Sequence, residues 1–93
     1  MTLDPSDIDA ALSELEGWER HGDAIEKTYE FADFDAAIRF MTDAVAPINE
    51  MNHHPTWTNT YNTVRVELSS HDAGGVTDRD VKLAGILDHL AGS

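Results

Sequence analysis

The 93-residue chain has no cysteine and only two lysines, Lys27 and Lys82. Without thiols there can be neither a disulfide nor a thiolate metal site, so a domain of this size has no covalent supplement to its core. Six basic side chains stand against 18 acidic ones, for a formal net charge of −12. So few cations cannot be gathered into a patch that grips a phosphate backbone or an anionic bilayer, and charge argues against nucleic-acid and membrane partners. A solvated acidic surface is the plain reading of the surplus. Adaptation to high salt, where counterions screen the repulsion, is the sharper expectation. No apolar run approaches the length of a signal h-region or a membrane span, which points to the cytoplasm. A chain this short supports one hydrophobic core, so a single domain over residues 1–93 is expected, with self-association as the means of burying more surface.

What is present has clear periodicity. Asp4-Pro5 offers a helix cap followed by proline at the first helical position, and Ile8, Ala11, Leu12 and Leu15 recur at helical spacing, which predicts a helix over 5–15. Trp18 opens a short extended segment, His21-Gly22-Asp23 turns the chain, and a strand is expected over 24–31. Ile25, Tyr29 and Phe31 would share one side of that strand, with Lys27 interrupting the alternation. Asp33 can cap a second helix, in which Phe34, Ile38, Met41, Val45 and Ile48 form the stripe expected to be buried. Phe40, Ala44 and Met51 lie about 100° around it, a surplus of apolar arc that suggests a partner helix. Pro47 predicts a kink, and Pro55 ends the helix after His53-His54. Strands are expected over 57–60 and 63–69, joined near Tyr61-Asn62. Thr77-Asp78-Arg79-Asp80 then reads as a capping box that opens a third helix. The order of elements favours an α+β fold, a four-stranded antiparallel sheet with helices packed on one face.

Three of the five histidines fall between Asn52 and Asp80, beside turns and strand ends. Adjacent His53 and His54 at a helix C-terminus could simply answer the helix dipole, and His71 could be an ordinary loop residue. Zinc is the obvious rival, but neighbouring positions on a helix project about 100° apart, whereas helical metal pairs sit at i, i+3 or i+4. No metal is therefore expected.

The string NHHPTWTNTYNTVRVELSSHDAGGVTDRD settles these alternatives by resemblance. It resembles the signature of the pterin-4a-carbinolamine dehydratases: His-His-Pro, a tryptophan two residues on, Tyr-Asn, a strand ending in Ser/Thr-His, and Gly-(hydrophobic)-Ser/Thr-x-x-Asp. Here these are His53-His54-Pro55, Trp57, Tyr61-Asn62, Ser70-His71, and Gly75-Val76-Thr77 to Asp80. The likeness extends to Gly17-Trp18, Phe31 and Phe40-Met41.

The resemblance implies an α-β-β-α-β-β-α fold and a hydro-lyase that, with no cofactor, eliminates water from a 4a-hydroxytetrahydropterin, giving the quinonoid dihydropterin. Hydroxide leaves poorly, so an acid must protonate the C4a oxygen while a base takes the proton from N5, and imidazole can do either near neutral pH. By the same likeness His53 and His71 match the acid/base positions, and His54 a binding or orienting one. Asn52, Ser69, Ser70 and Asp72 fall where the family contacts the pterin. Asp80 would support the histidines, and Trp57 flanks them. Alanine at His53 or His71 is expected to slow turnover and leave the melting temperature little changed. One departure stands out: the family commonly has an acidic residue four positions before the first histidine, and here it is Asn49, with Glu50 next. Either the helix after Pro47 rotates to present Glu50, or Asn49 makes a neutral hydrogen bond in the carboxylate's place. The resemblance also implies a homodimer or homotetramer built through the second helix and possibly sheet edges. Mammalian members double as dimerisation cofactors for a homeodomain transcription factor, so a non-enzymatic interaction module is the alternative, and a role in molybdopterin or other pterin metabolism a third.

Overall fold

A computed structural model describes residues 3–92. The elements run α1 (Pro5–Leu12), β1 (Glu19–His21), β2 (Ala24–Glu30), α2 (Phe34–Met51), β3 (Thr56–Thr60), β4 (Thr63–Leu68) and α3 (Asp78–Leu90), so the expected α-β-β-α-β-β-α order holds. All strand pairs are antiparallel, in the sheet order β1-β2-β4-β3. Register places Ile25 opposite Leu68, Tyr29 opposite Val64 and Trp57 opposite Val66. These side chains therefore share the face that the helices cover, where Ile25, Val64, Val66 and Leu68 are fully buried beside Ile8, Phe40, Leu83 and Leu87.

Several local expectations need correction. The first helix stops at Leu12 instead of residue 15: Ser13 still bonds to Asp9 four residues back, but Glu14 and Leu15 bond only three back, to Ala11 and Leu12, in tighter turns. Asp4 precedes it without accepting any side-chain cap bond, leaving Pro5 to set the helix start. The second helix passes through Pro47 as expected, since proline forfeits only one bond, to the carbonyl of exposed Asp43, but it ends at Met51, before His53-His54 and not after them.

The largest correction concerns which side of α2 is buried. Ala37, Phe40, Ala44 and Ile48 face the core, whereas Phe34, Ile38 and Val45 of the expected stripe are 46%, 38% and 50% exposed. Ala37 and Ala44, about two turns apart, allow close approach to neighbouring elements, and Phe40 fills the space between them. Its ring lies 4.9 Å from that of Tyr29 and 5.1 Å from that of Phe31. Both stripes are apolar, so periodicity alone does not rank them.

Lys27 shows why the β2 alternation is broken. It sits on the core face between Ile25 and Tyr29, reaching the sheet margin where Asp88 of α3 waits. One oxygen of Asp88 accepts from Lys27 Nζ at 2.9 Å, Tyr29 OH at 2.5 Å and Trp18 Nε1 at 3.1 Å. Lys27 also donates to the Glu16 carbonyl at 2.8 Å and lies 4.8 Å from the centre of the Tyr29 ring. Burial, and then the bond to Asp88, push the Tyr29 phenol far above its ordinary range, so it stays a donor. A single carboxylate thus ties α3 to β2 and to the turn before β1.

Candidate active site

The end of α2 decides where the two adjacent histidines go. Asn52 adopts the left-handed conformation, φ 49° and ψ 44°, which asparagine tolerates better than most residues. Its N–H donates to the Asn49 carbonyl and that of His53 to the Ile48 carbonyl, the paired bonds of a Schellman ending. His53 and His54 therefore follow the helix instead of lying on its last turn, and the chain reversal sends them to different surroundings. His53 is 7% exposed, whereas His54 is exposed.

His53 meets Asp80, which is 0% exposed, with Nε2 2.5 Å from Oδ1. The other carboxylate oxygen accepts from Ser70 Oγ at 2.9 Å and from the Thr77 N–H at 2.8 Å. Asp80 is also the N3 residue of the capping box that Thr77 opens, so one carboxylate both starts α3 and orients the histidine. Because Asp80 accepts at Oδ1, Nε2 of His53 donates and Nδ1 is left as the basic nitrogen. Ser70 spends its one hydroxyl proton on Asp80, so Thr77 Oγ1 must donate in the 2.8 Å contact between the hydroxyls. No buried side-chain nitrogen or oxygen among the described residues lacks a partner.

The other candidate residues are less enclosed or have partners of their own. His71 is exposed, on a four-residue loop closed by the antiparallel bridge between Ser70 and Gly75. Asp72, on the same loop, pairs with Arg79 at 2.9 Å, and that bond and charge hold its carboxyl below the usual range. The Ser69 hydroxyl donates to the Asp23 carbonyl at 2.7 Å. His54 Nε2 lies 3.2 Å from Asn49 Oδ1, so Asn49 occupies the position open to a carboxylate, and Glu50 is simply exposed. His54 and Asn49 line an apolar recess of about 240 Å³ with Val45, Ile48, Pro55 and half-buried Trp57. The geometry thus joins His53, Ser70 and Asp80 directly, and places Asn49, His54 and Trp57 around one recess. Thr77 belongs to the buried network and was legible only as a helix cap. Among the described residues, no three His, Asp or Glu side chains are grouped closely enough to hold a metal ion.

On this antiparallel α+β scaffold His53 is thus a buried imidazole paired with a carboxylate, while His54 and His71 are exposed. The family model for pterin 4 alpha carbinolamine dehydratase matches residues 1–90, and the chain belongs to that family. A relative from Thermosynechococcus vestitus is 42% identical over 89 residues, covering 96% of this chain and 94% of its own. One from Solibacter usitatus is 45% identical with the same coverage; both carry the name "Putative pterin-4-alpha-carbinolamine dehydratase". The crystal structure of a transcriptional coactivator/pterin dehydratase from Brucella melitensis superposes with a TM-score of 0.96 at 37% identity, covering 99% of this chain and 100% of that one. A pterin dehydratase-like RuBisCO assembly factor of the alpha-carboxysome shares the fold, with a TM-score of 0.68 at 21% identity over 82% of this chain and 88% of its own.

Proposed function

We propose that the protein dehydrates 4a-hydroxytetrahydropterins by histidine acid/base catalysis, without metal or cofactor. The observation that carries this reading is the His53–Asp80 pair inside the family motif. Asp80 stabilises the imidazolium that forms when Nδ1 of His53 takes the N5 proton, which suits His53 to the role of base. Exposed His71 then protonates the C4a oxygen, the C–O bond breaks with its electrons leaving on water, and the N5 lone pair closes the C4a=N5 double bond. Asn52, Ser69 and Asp72 contact the pterin, while His54, oriented by Asn49, helps to hold it. Stopped-flow measurement on enzymatically generated 4a-hydroxytetrahydropterin should show dehydration well above the spontaneous rate, unchanged by exhaustive chelation. A spontaneous rate at high protein concentration would sink the reading, and activity lost with one bound zinc per chain would sink the metal-free mechanism.

The exposed stripe Phe34, Ile38 and Val45 supports assembly into a homodimer or homotetramer through α2. The same stripe is what favours the alternative, an interaction module that binds a protein partner through this face. Loss of activity on removing the histidines, with assembly retained, separates the two.

The excess of 18 carboxylates over 6 basic groups supports a salt-adapted protein. At low ionic strength the Debye length of roughly 30 Å spans the molecule, so folding and assembly both concentrate unscreened charge. Thermal melts with parallel light scattering should show stability and mass rising with KCl, most of the gain arriving by about 1 M, where the screening length is roughly 3 Å. A melting temperature and mass that stay flat across the series would show that the acidic surface has no such role.

A further inference from the structure

Ser70 belongs, by resemblance, with the residues that meet the pterin, yet the fold turns its side chain away from solvent. It is 1% exposed, and its hydroxyl is fully used between Asp80 and Thr77. Its backbone does separate work: the N–H donates to the Gly75 carbonyl at 2.9 Å, and its carbonyl accepts from Ala73 and Gly74 at 3.0 and 2.9 Å. These bonds close the loop that carries His71. One residue therefore faces the carboxylate behind His53 with its side chain and shapes the seat of His71 with its main chain.

We propose that Ser70 is a positioning residue, acting through Asp80 on His53 and never touching the substrate. This inference rests on the dehydratase reading above. A carboxylate can turn about its terminal bond, and Asp80 is kept from turning by donors on both oxygens. Without the Ser70 hydroxyl, Oδ2 retains only the Thr77 N–H, and the Thr77 hydroxyl loses its acceptor. Asp80 can then swing toward Thr77, and the His53 ring loses its fixed direction. Nothing in this scheme alters how the substrate is held, so the loss falls on turnover and not on binding.

The test compares Ser70→Ala, Ser70→Thr and the near-isosteric weak donor Ser70→Cys with the unaltered chain, by steady-state dehydration kinetics and by NMR of the His53 ring. Ser70→Ala should lower kcat roughly tenfold with KM changed less than about twofold. The proton between His53 Nε2 and Asp80 should broaden or vanish in that variant. Ser70→Thr, which restores the hydroxyl, should recover both signals, and Ser70→Cys should fall between. Should the alanine variant not fold, the cysteine variant read against threonine decides the matter. A rise in KM with kcat preserved would mean that Ser70 touches the substrate, and unchanged kinetics with unchanged ring signals would mean that it does nothing; either overturns the proposal. If the unaltered chain has no dehydratase activity, the function reading has failed, and the ring signals alone then judge the link from Ser70 to His53.

Discussion

His71→Ala should lower the dehydration rate by about 10²- to 10⁴-fold and leave the melting temperature where it was, whereas His53→Ala should lower both. In the proposed mechanism the two rate effects have one cause, the loss of a positioned acid or base. The stability effects differ because the two side chains live in different media. His71 is exposed on a loop closed by backbone bonds, so truncating it removes no packing and no buried partner. His53 is buried and supplies a donor to Asp80, which has no exposed surface. Alanine there leaves a cavity and a buried carboxylate with only Ser70 and Thr77 as donors, at a cost of about 2 to 4 kcal/mol. For a domain of this size that is a fall of roughly 10 to 25 °C. The expectation from sequence, that neither change touches stability, is thereby divided by burial. Stopped-flow kinetics below the melting range and calorimetry on the same samples check both halves. Near-normal turnover in both variants would remove the acid/base assignment, and an unchanged melting temperature in His53→Ala would show that the Asp80 pair contributes nothing to the fold.

Asp88→Ala should destabilise the chain by about 3 to 5 kcal/mol, the usual cost of removing one member of a desolvated ion pair. The side chains of Lys27 and Asp88 are each 14% exposed, so solvent screening discounts this only slightly. Three donors, from Trp18, Lys27 and Tyr29, lose their common acceptor at once. Mean-field electrostatics predicts the opposite sign: on a chain of net charge −12, deleting a carboxylate relieves repulsion. A large loss therefore identifies a specific local interaction. Asp88→Asn should lose less, because the amide oxygen can still accept. Kinetic constants measured well below the melting range should stay close to normal, since Asp88 lies about 12 Å along α3 from Asp80 at 1.5 Å per residue. Denaturant titrations of the two variants in the same salt provide the comparison. A loss below about 1 kcal/mol for alanine would reduce the cluster to an ordinary surface contact.

By itself the sequence determined the order of the elements and the family motif. Caps at Asp33 and Thr77 act through atoms two and three residues away, and strand alternation at Val64, Val66 and Leu68 follows from the pleat, so both are local and readable. The histidines and Asp80 were legible because their spacing forms one compound motif. Tertiary structure alone decided which apolar stripe of α2 is buried, because both stripes are apolar and the choice depends on what Ala37 and Ala44 allow to come close. It also decided that Lys27 turns inward, since only the folded chain brings Asp88, 61 residues on, to receive it. Adjacent His53 and His54 part company because one left-handed residue, Asn52, redirects the chain, and only the packing of α3 against it supplies Asp80. Resemblance places Ser70 among the residues that contact the pterin, and only the folded chain shows its side chain enclosed, because burial is a property of all the elements around a residue, and no stretch of sequence contains them.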